Sequence, residues 1–223
     1  MKLWSVVLMA GLFATTFSST AGVVIGGTRL VYDGAKKEAA LNVGNPDTTA
    51  YLIQSWVDTQ DGGEAKAPFI ITPPLFRLDG KQNNVLRIVR AGGSLPEDKE
   101  SLFWLNIKSI PSSEKRDNTL QIAVKTRIKL IYRPKGVQGT LDQSASQIKW
   151  QRSGNTLKAT NNSGHYLTFF AVKVGGKAIP DFPMLAPGTT QSVTLPAVGG
   201  GSQVSWEIIN DYGGTSEVYQ ASL

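Results

Sequence analysis

Between Thr119 and Pro134 the chain reads TLQIAVKTRIKLIYRP, a run without glycine that ends on a proline. β-Branched and aromatic residues fill it, so it reads as a strand. Leu120, Ile122 and Val124 alternate with Gln121, Ala123 and Lys125, the two-residue period that sends side chains to opposite faces of a sheet. From Leu120 to Tyr132 it would span roughly 43 Å at ~3.3 Å per residue, whereas strands usually run about 3–10 residues. The first half offers spaced apolar side chains, and the second sets Arg127, Lys129 and Arg133 among apolar neighbours. Two readings fit this run. It is a core strand that overruns its sheet, or an edge strand kept available for a second chain, with cations at one end to position it.

The rest of the chain repeats this grammar in shorter words. With 223 residues it is long enough for one large or two ordinary domains. Hydrophobic residues at 41% and charged residues at 18% place it among globular proteins. Strands are expected over Val23 to Tyr32 (loosened at Gly26-Gly27), Glu38 to Val43, Tyr51 to Val57, Phe69 to Ile71, Val85 to Val89 and Leu102 to Ile110. With the long run these make seven strands, separated by turn residues, which predicts an immunoglobulin-like sandwich. Thr72-Pro73-Pro74 implies a sheet edge, a crossing between sheets or a cis bond.

After Pro134 the composition shifts at Lys135-Gly136-Val137-Gln138-Gly139, and short runs resume: Gln147 to Trp150, Thr156 to Thr160, Tyr166 to Val174, Gln191 to Leu195, Val204 to Ile209 and Glu217 to Ala221. These predict a second, smaller β-sandwich. The expected division is a signal segment over 1–21, an N-terminal domain over 22–137 and a C-terminal domain over 138–223.

The signal segment is read from Lys2, the apolar run Val6 to Ala14, and Ser19-Thr20-Ala21, a small-residue site that predicts cleavage after Ala21 and export. Polar residues from Thr15 onward interrupt the ~20 apolar residues that a membrane anchor needs. Removing Lys2 lowers the net charge from +6 to +5. Scattered basic residues on an exported chain argue against nucleic acid as a partner. With no cysteine, both domains must rest on their cores rather than on disulfides.

Catalytic chemistry finds little support. One histidine and no cysteine cannot build the usual zinc shells, and no Gly-x-Ser-x-Gly motif accompanies a serine nucleophile. His165, beside the Asn162-Ser163-Gly164 turn, is expected in solvent, and Asn161-Asn162-Ser163 fits a glycosylation acceptor. Gly199-Gly200-Gly201-Ser202 lacks the lysine and the helix of a phosphate loop. No catalytic residue, metal, cofactor or small-molecule substrate is expected. What remains is the long strand and the cations. Arg29 lies on the first strand and Lys129 on the last, and these often lie close together in a sandwich. Either both charges are solvated, or they share a cleft and await an anionic guest.

Several stretches carry a resemblance. Leu95-Pro96-Glu97-Asp98-Lys99-Glu100-Ser101-Leu102-Phe103-Trp104-Leu105-Asn106-Ile107-Lys108-Ser109-Ile110-Pro111-Ser112 resembles, at nearly every defined position, the signature of the periplasmic pilus-assembly chaperones typified by PapD. Thr28-Arg29-Leu30-Val31-Tyr32, Thr72-Pro73-Pro74, Lys129 to Pro134 and Ile209-Asn210-Asp211-Tyr212-Gly213-Gly214 resemble further family blocks in the same order. The resemblance implies an all-β protein of two immunoglobulin-like β-sandwich domains in an L or boomerang arrangement with a cleft between them. It also implies a periplasmic chaperone that binds, folds and caps pilus subunits, pilins or adhesin, and delivers them to an outer-membrane usher.

By position, Arg29 and Lys129 match the cleft cations that hold a subunit's C-terminal carboxylate. Leu120, Ile122 and Val124 match the alternating apolar residues donated to the subunit. Glu100, Arg133 and Asp211 match a buried ion network that fixes the angle between the domains. The short loop between Ile110 and Leu120 resembles the members that serve rod-like pili. Two other classes remain open at this point. A carbohydrate-binding pair of sandwiches would show exposed aromatic platforms, and a pilus subunit would be a single incomplete sandwich.

Overall fold

The computed structural model describes residues 22–62, 67–112, 120–195 and 201–223. The expected signal segment, its cleavage site after Ala21, and most of the loop between Ile110 and Leu120 lie outside the described residues.

Two sheets form the first sandwich. One orders β1 (Val24–Ile25), β3 (Ala39–Gly44), β7 (Asn83–Arg90) and β5 (Phe69–Thr72). The other orders β2 (Arg29–Asp33), β9 (Val124–Arg133), β8 (Ser101–Pro111), β4 (Tyr51–Thr59) and β6 (Leu75–Leu78). Alternate residues of both sheets meet in one core, among them Leu41, Val43, Ile53, Leu86, Ile88, Leu105, Ile107 and Leu130. Two-residue periodicity with one buried face is the reason these runs pair as they do.

The single strand expected over Val23 to Tyr32 is two strands, in different sheets. The chain leaves β1 at Gly26-Gly27, where a Cβ on Gly26 would stand 3.1 Å from Asn42, and re-enters the opposite sheet at Arg29. The prolines mark a second crossing: β5 ends at Thr72, the Thr72-Pro73 bond is cis, and β6 starts at Leu75 in the other sheet. The first sandwich therefore has nine strands among the described residues, not seven.

The long strand is also shorter than expected. β9 begins at Val124, not at Leu120, and its last partner on β8 is Ser109. Residues 120–123 belong to no ladder among the described residues, so alternation alone does not make them a strand. Leu120, Ile122 and Val124 are 83%, 66% and 53% exposed.

In the second sandwich a sheet of β10 (Lys149–Ser153), β11 (Thr156–Thr160) and β14 (Thr190–Thr194) faces one of β13 (Lys177–Ala178), β12 (Phe169–Val174), β15 (Gln203–Ile208) and β16 (Tyr219–Ser222). Its core gathers Leu157, Leu167, Val172, Leu185, Trp206 and Ile208. A short helix, α1 (Leu141–Ser146), precedes it, and sequence periodicity missed it because six residues are too few to show one. Its capping box was legible: Thr140 Oγ1 accepts from the Gln143 N–H at 3.2 Å, and the Gln143 side chain accepts from the Thr140 N–H at 2.9 Å.

Candidate functional site

The strands β2 and β9 run parallel, with Arg29 level with Lys129. Backbone register thus sets two cations side by side, and both reach toward the second sandwich. The Arg29 guanidinium donates to the Ile209 carbonyl at 3.1 Å, and Lys129 Nζ donates to Thr168 Oγ1 at 3.1 Å. Arg29 is only 8% exposed, and its Nε has no hydrogen-bond partner. Burial draws Arg29 below its ordinary pKa, against the pull of Asp211 and Glu100. Burial, and then repulsion from Arg29, pushes the Lys129 ammonium down to about 8. Two neighbouring cations, one lowering the pKa of the other and one with a buried donor left over, are an arrangement that an anion would stabilise. The two charges are not simply solvated: Arg29 is buried, and both side chains bond to the second sandwich.

Glu100, Arg133 and Asp211 come together behind the cations. Arg133 Nε donates to Glu100 Oε1 at 2.6 Å, and its two terminal nitrogens hold the Asp211 carboxylate at 2.7 and 2.8 Å. The second oxygen of Glu100 accepts the Tyr166 N–H at 2.6 Å. The Glu100 side chain is fully buried. Burial raises its pKa, with Arg133, the Tyr166 N–H and the bond from Arg133 opposing that rise. The network ties Glu100, just before β8, and Arg133 at the end of β9 to the Asp211 turn and Tyr166 of the second sandwich. Beside it, Leu102 and Ile131 pack on Tyr166, with Met184 and Ala186 behind. Sequence reading missed this apolar seam, although Leu102 and Ile131 sit at alternate positions that a solvated face would not need.

His165 is buried rather than solvated. Its Nδ1 lies 2.9 Å from Ser144 Oγ, and burial, then Arg133, lowers its pKa to about 4. Gly164, in the turn expected to expose it, accepts the Glu100 N–H at 2.8 Å, and a Cβ there would stand 2.8 Å from the Asp98 carbonyl. Asn161 is likewise no glycosylation acceptor here: its buried amide donates to the His165 and Ala186 carbonyls at 2.7 and 3.1 Å.

Along β9, Leu120, Ile122 and Val124 continue the row that Ile128, Leu130 and Tyr132 bury in the core, but beyond the end of the ladder. Among the described residues, Val124 to Ile128 pair with β8 on one side only, since β2 begins opposite Lys129.

Residues 22–138 match the family of pili and flagellar-assembly chaperones, PapD N-terminal domain, and residues 143–220 match the pili assembly chaperone PapD, C-terminal domain. The chain is 43% identical, over 98% of its length and 96% of the relative's, to the probable fimbrial chaperone LpfB of Escherichia coli O157:H7. Its fold is similar to that of the SafB chaperone, solved in complex with the Salmonella enterica SafA pilin. The TM-score there is 0.83 and the identity 36%, with 91% of this chain and 96% of that one covered. It is also similar to the periplasmic chaperone SfaE, with a TM-score of 0.76 and 39% identity over 91% of this chain and all of that one. Two sandwiches, a parallel strand pair that carries two cations into a cleft, and matches over both domains lead to one assignment: this chain belongs to the PapD-like family of pilus-assembly chaperones.

Proposed function

We propose that this chain is a periplasmic chaperone that captures pilus subunits, pilins or adhesin, by lending them the strand at about 119–132, and passes them to an outer-membrane usher. The observation that carries this reading is the exposed apolar row Leu120, Ile122 and Val124 on a strand with one open edge. Three such side chains, left in water, forgo about 1.5–3 kcal/mol each. A guest that lacks a strand has the matching deficit, an apolar groove with unpaired backbone. Each covers the other.

The open edge also fixes a direction. A guest strand laid along Val124–Ile128 lies in line with β2 and ends where β2 starts, at Arg29 and Lys129. To bring a C-terminal carboxylate to those cations it must run parallel to β9. Arg29 and Lys129 then bind the subunit's terminus and set its register, because a slip of one residue would turn Leu120, Ile122 and Val124 to the wrong face. In this reading Glu100, Arg133 and Asp211 hold the angle between a first domain over 22–137 and a second over 138–223. Export follows cleavage after Ala21, on the strength of Lys2, the apolar run and the small-residue site.

Substituting Ile122 by aspartate tests the donated row. The residue is largely exposed in the free chain, so the variant is expected to keep wild-type thermal stability while losing co-purification of subunits from periplasm. A variant that unfolds instead would return the run to the role of a core strand.

A further inference from the structure

The face of β9 that points away from the core carries a second row. Lys125, Arg127 and Lys129 follow one another at two-residue spacing, and Arg29 stands beside Lys129. Lys108 of β8 lies directly opposite Lys125. Like charges placed so weaken an antiparallel pair. Among the described residues Asp58 is the one carboxylate on β4, β8 and β9, and the Asn106 amide already donates to it at 3.0 Å.

Two tryptophans underlie the row. Lys125 Nζ lies 5.1 Å from the centre of the Trp56 ring, and the Arg127 guanidinium 4.5 Å from that of Trp104. The Trp104 indole N–H is fixed in turn by the Gln60 carbonyl at 3.1 Å. An aromatic face orients a cation but leaves its charge in place. The row is therefore held ready rather than neutralised, and it borders the same open edge as the apolar row on the other face.

We infer that Lys108, Lys125 and Arg127 select guest segments that carry carboxylates at alternate positions on the side facing this row. The inference rests on the edge-strand reading above and adds the chemistry of the partner to it. A guest strand beside β9 places every second side chain next to Lys125 and Arg127, where opposite charges stabilise the pairing and lysines oppose it. Capture of acidic segments is thus favoured before the terminal carboxylate reaches Arg29 and Lys129.

Two strand-length synthetic peptides with free C-termini test this, one alternating valine with glutamate and the other valine with glutamine. The glutamate peptide is expected to bind at least about threefold more tightly at low salt. The preference should fade at high salt, where screening shortens to a few ångströms. In the folded Lys125→Gln/Arg127→Gln variant the two peptides should bind alike. Equal affinity of both peptides for the wild-type chain overturns the inference and leaves the edge-strand reading standing. If neither peptide binds, the edge-strand reading fails and the inference fails with it.

Discussion

Alanine at Arg29 or at Lys129 is expected to abolish subunit capture while leaving the fold intact. Each side chain makes one hydrogen bond to the second sandwich, to the Ile209 carbonyl and the Thr168 hydroxyl respectively, and neither belongs to a core cluster. A charge-assisted bond to a carboxylate contributes about 1.5–3 kcal/mol, and truncating one side of a desolvated pair costs roughly 2–5 kcal/mol. Losses of that size are on the order of 30- to 4000-fold in affinity. Amidating a subunit peptide should weaken binding to the wild-type chain and hardly change binding to either variant.

Proton linkage sharpens the same test. Lys129 titrates near 8 in the free chain, so its half of the anchor is fully charged below that pH and is lost as pH rises through it. Carboxylate binding should weaken accordingly, and in Lys129→Ala this step should vanish. The stability of the free chain moves the other way. With the folded pKa below the unfolded value, the unfolded state holds more protons between the two, and stability rises with pH there. Under the proposed role, a bound carboxylate should therefore raise the stability of the chain in this pH range.

The second large effect is expected at Arg133. Replacing it by alanine strands the Glu100 carboxylate, fully buried and then left with only the Tyr166 N–H. Breaking a buried pair in this way costs about 3–5 kcal/mol. Asp211 is partly exposed and recovers water, so most of the loss belongs to Glu100. The sign of the pH dependence follows. Glu100 already has a raised pKa from burial, and without Arg133 it rises further. A carboxyl whose folded pKa lies above its unfolded value destabilises the fold once pH exceeds the unfolded value. Denaturant titrations of Arg133→Ala should show a deficit that is largest near neutrality and shrinks on acidification. Adding Glu100→Gln should recover part of it. Solution scattering should show a broadened distribution of domain orientations. A wild-type profile in both measurements would remove the network from the account.

The sequence disclosed the sandwich grammar because most strands bury one face, and burial writes a two-residue period. It failed where another force sets the ends. Val23 to Tyr32 alternates acceptably throughout, yet Gly26-Gly27 lets the chain change sheets. Leu120 to Ala123 alternates as well, yet β9 starts only at Val124, because a two-residue period marks faces and not where a ladder ends. The juxtaposition of Arg29 with Lys129 is a product of parallel register and could only be guessed from strand order. Glu100, Arg133 and Asp211 were visible through resemblance alone, since three charges in three segments carry no period. The burial of His165 came from Ser144 on a helix too short to announce itself.

The central claim is that a guest strand completes its pairing on the open edge of β9. Amide hydrogen exchange over residues 120–128, with and without a captured subunit, tests it most directly. Bound subunit should protect alternate amides of this stretch, with protection ending where β2 already pairs at Lys129. Exchange over 120–128 that is unchanged by a stably bound subunit would contradict the account.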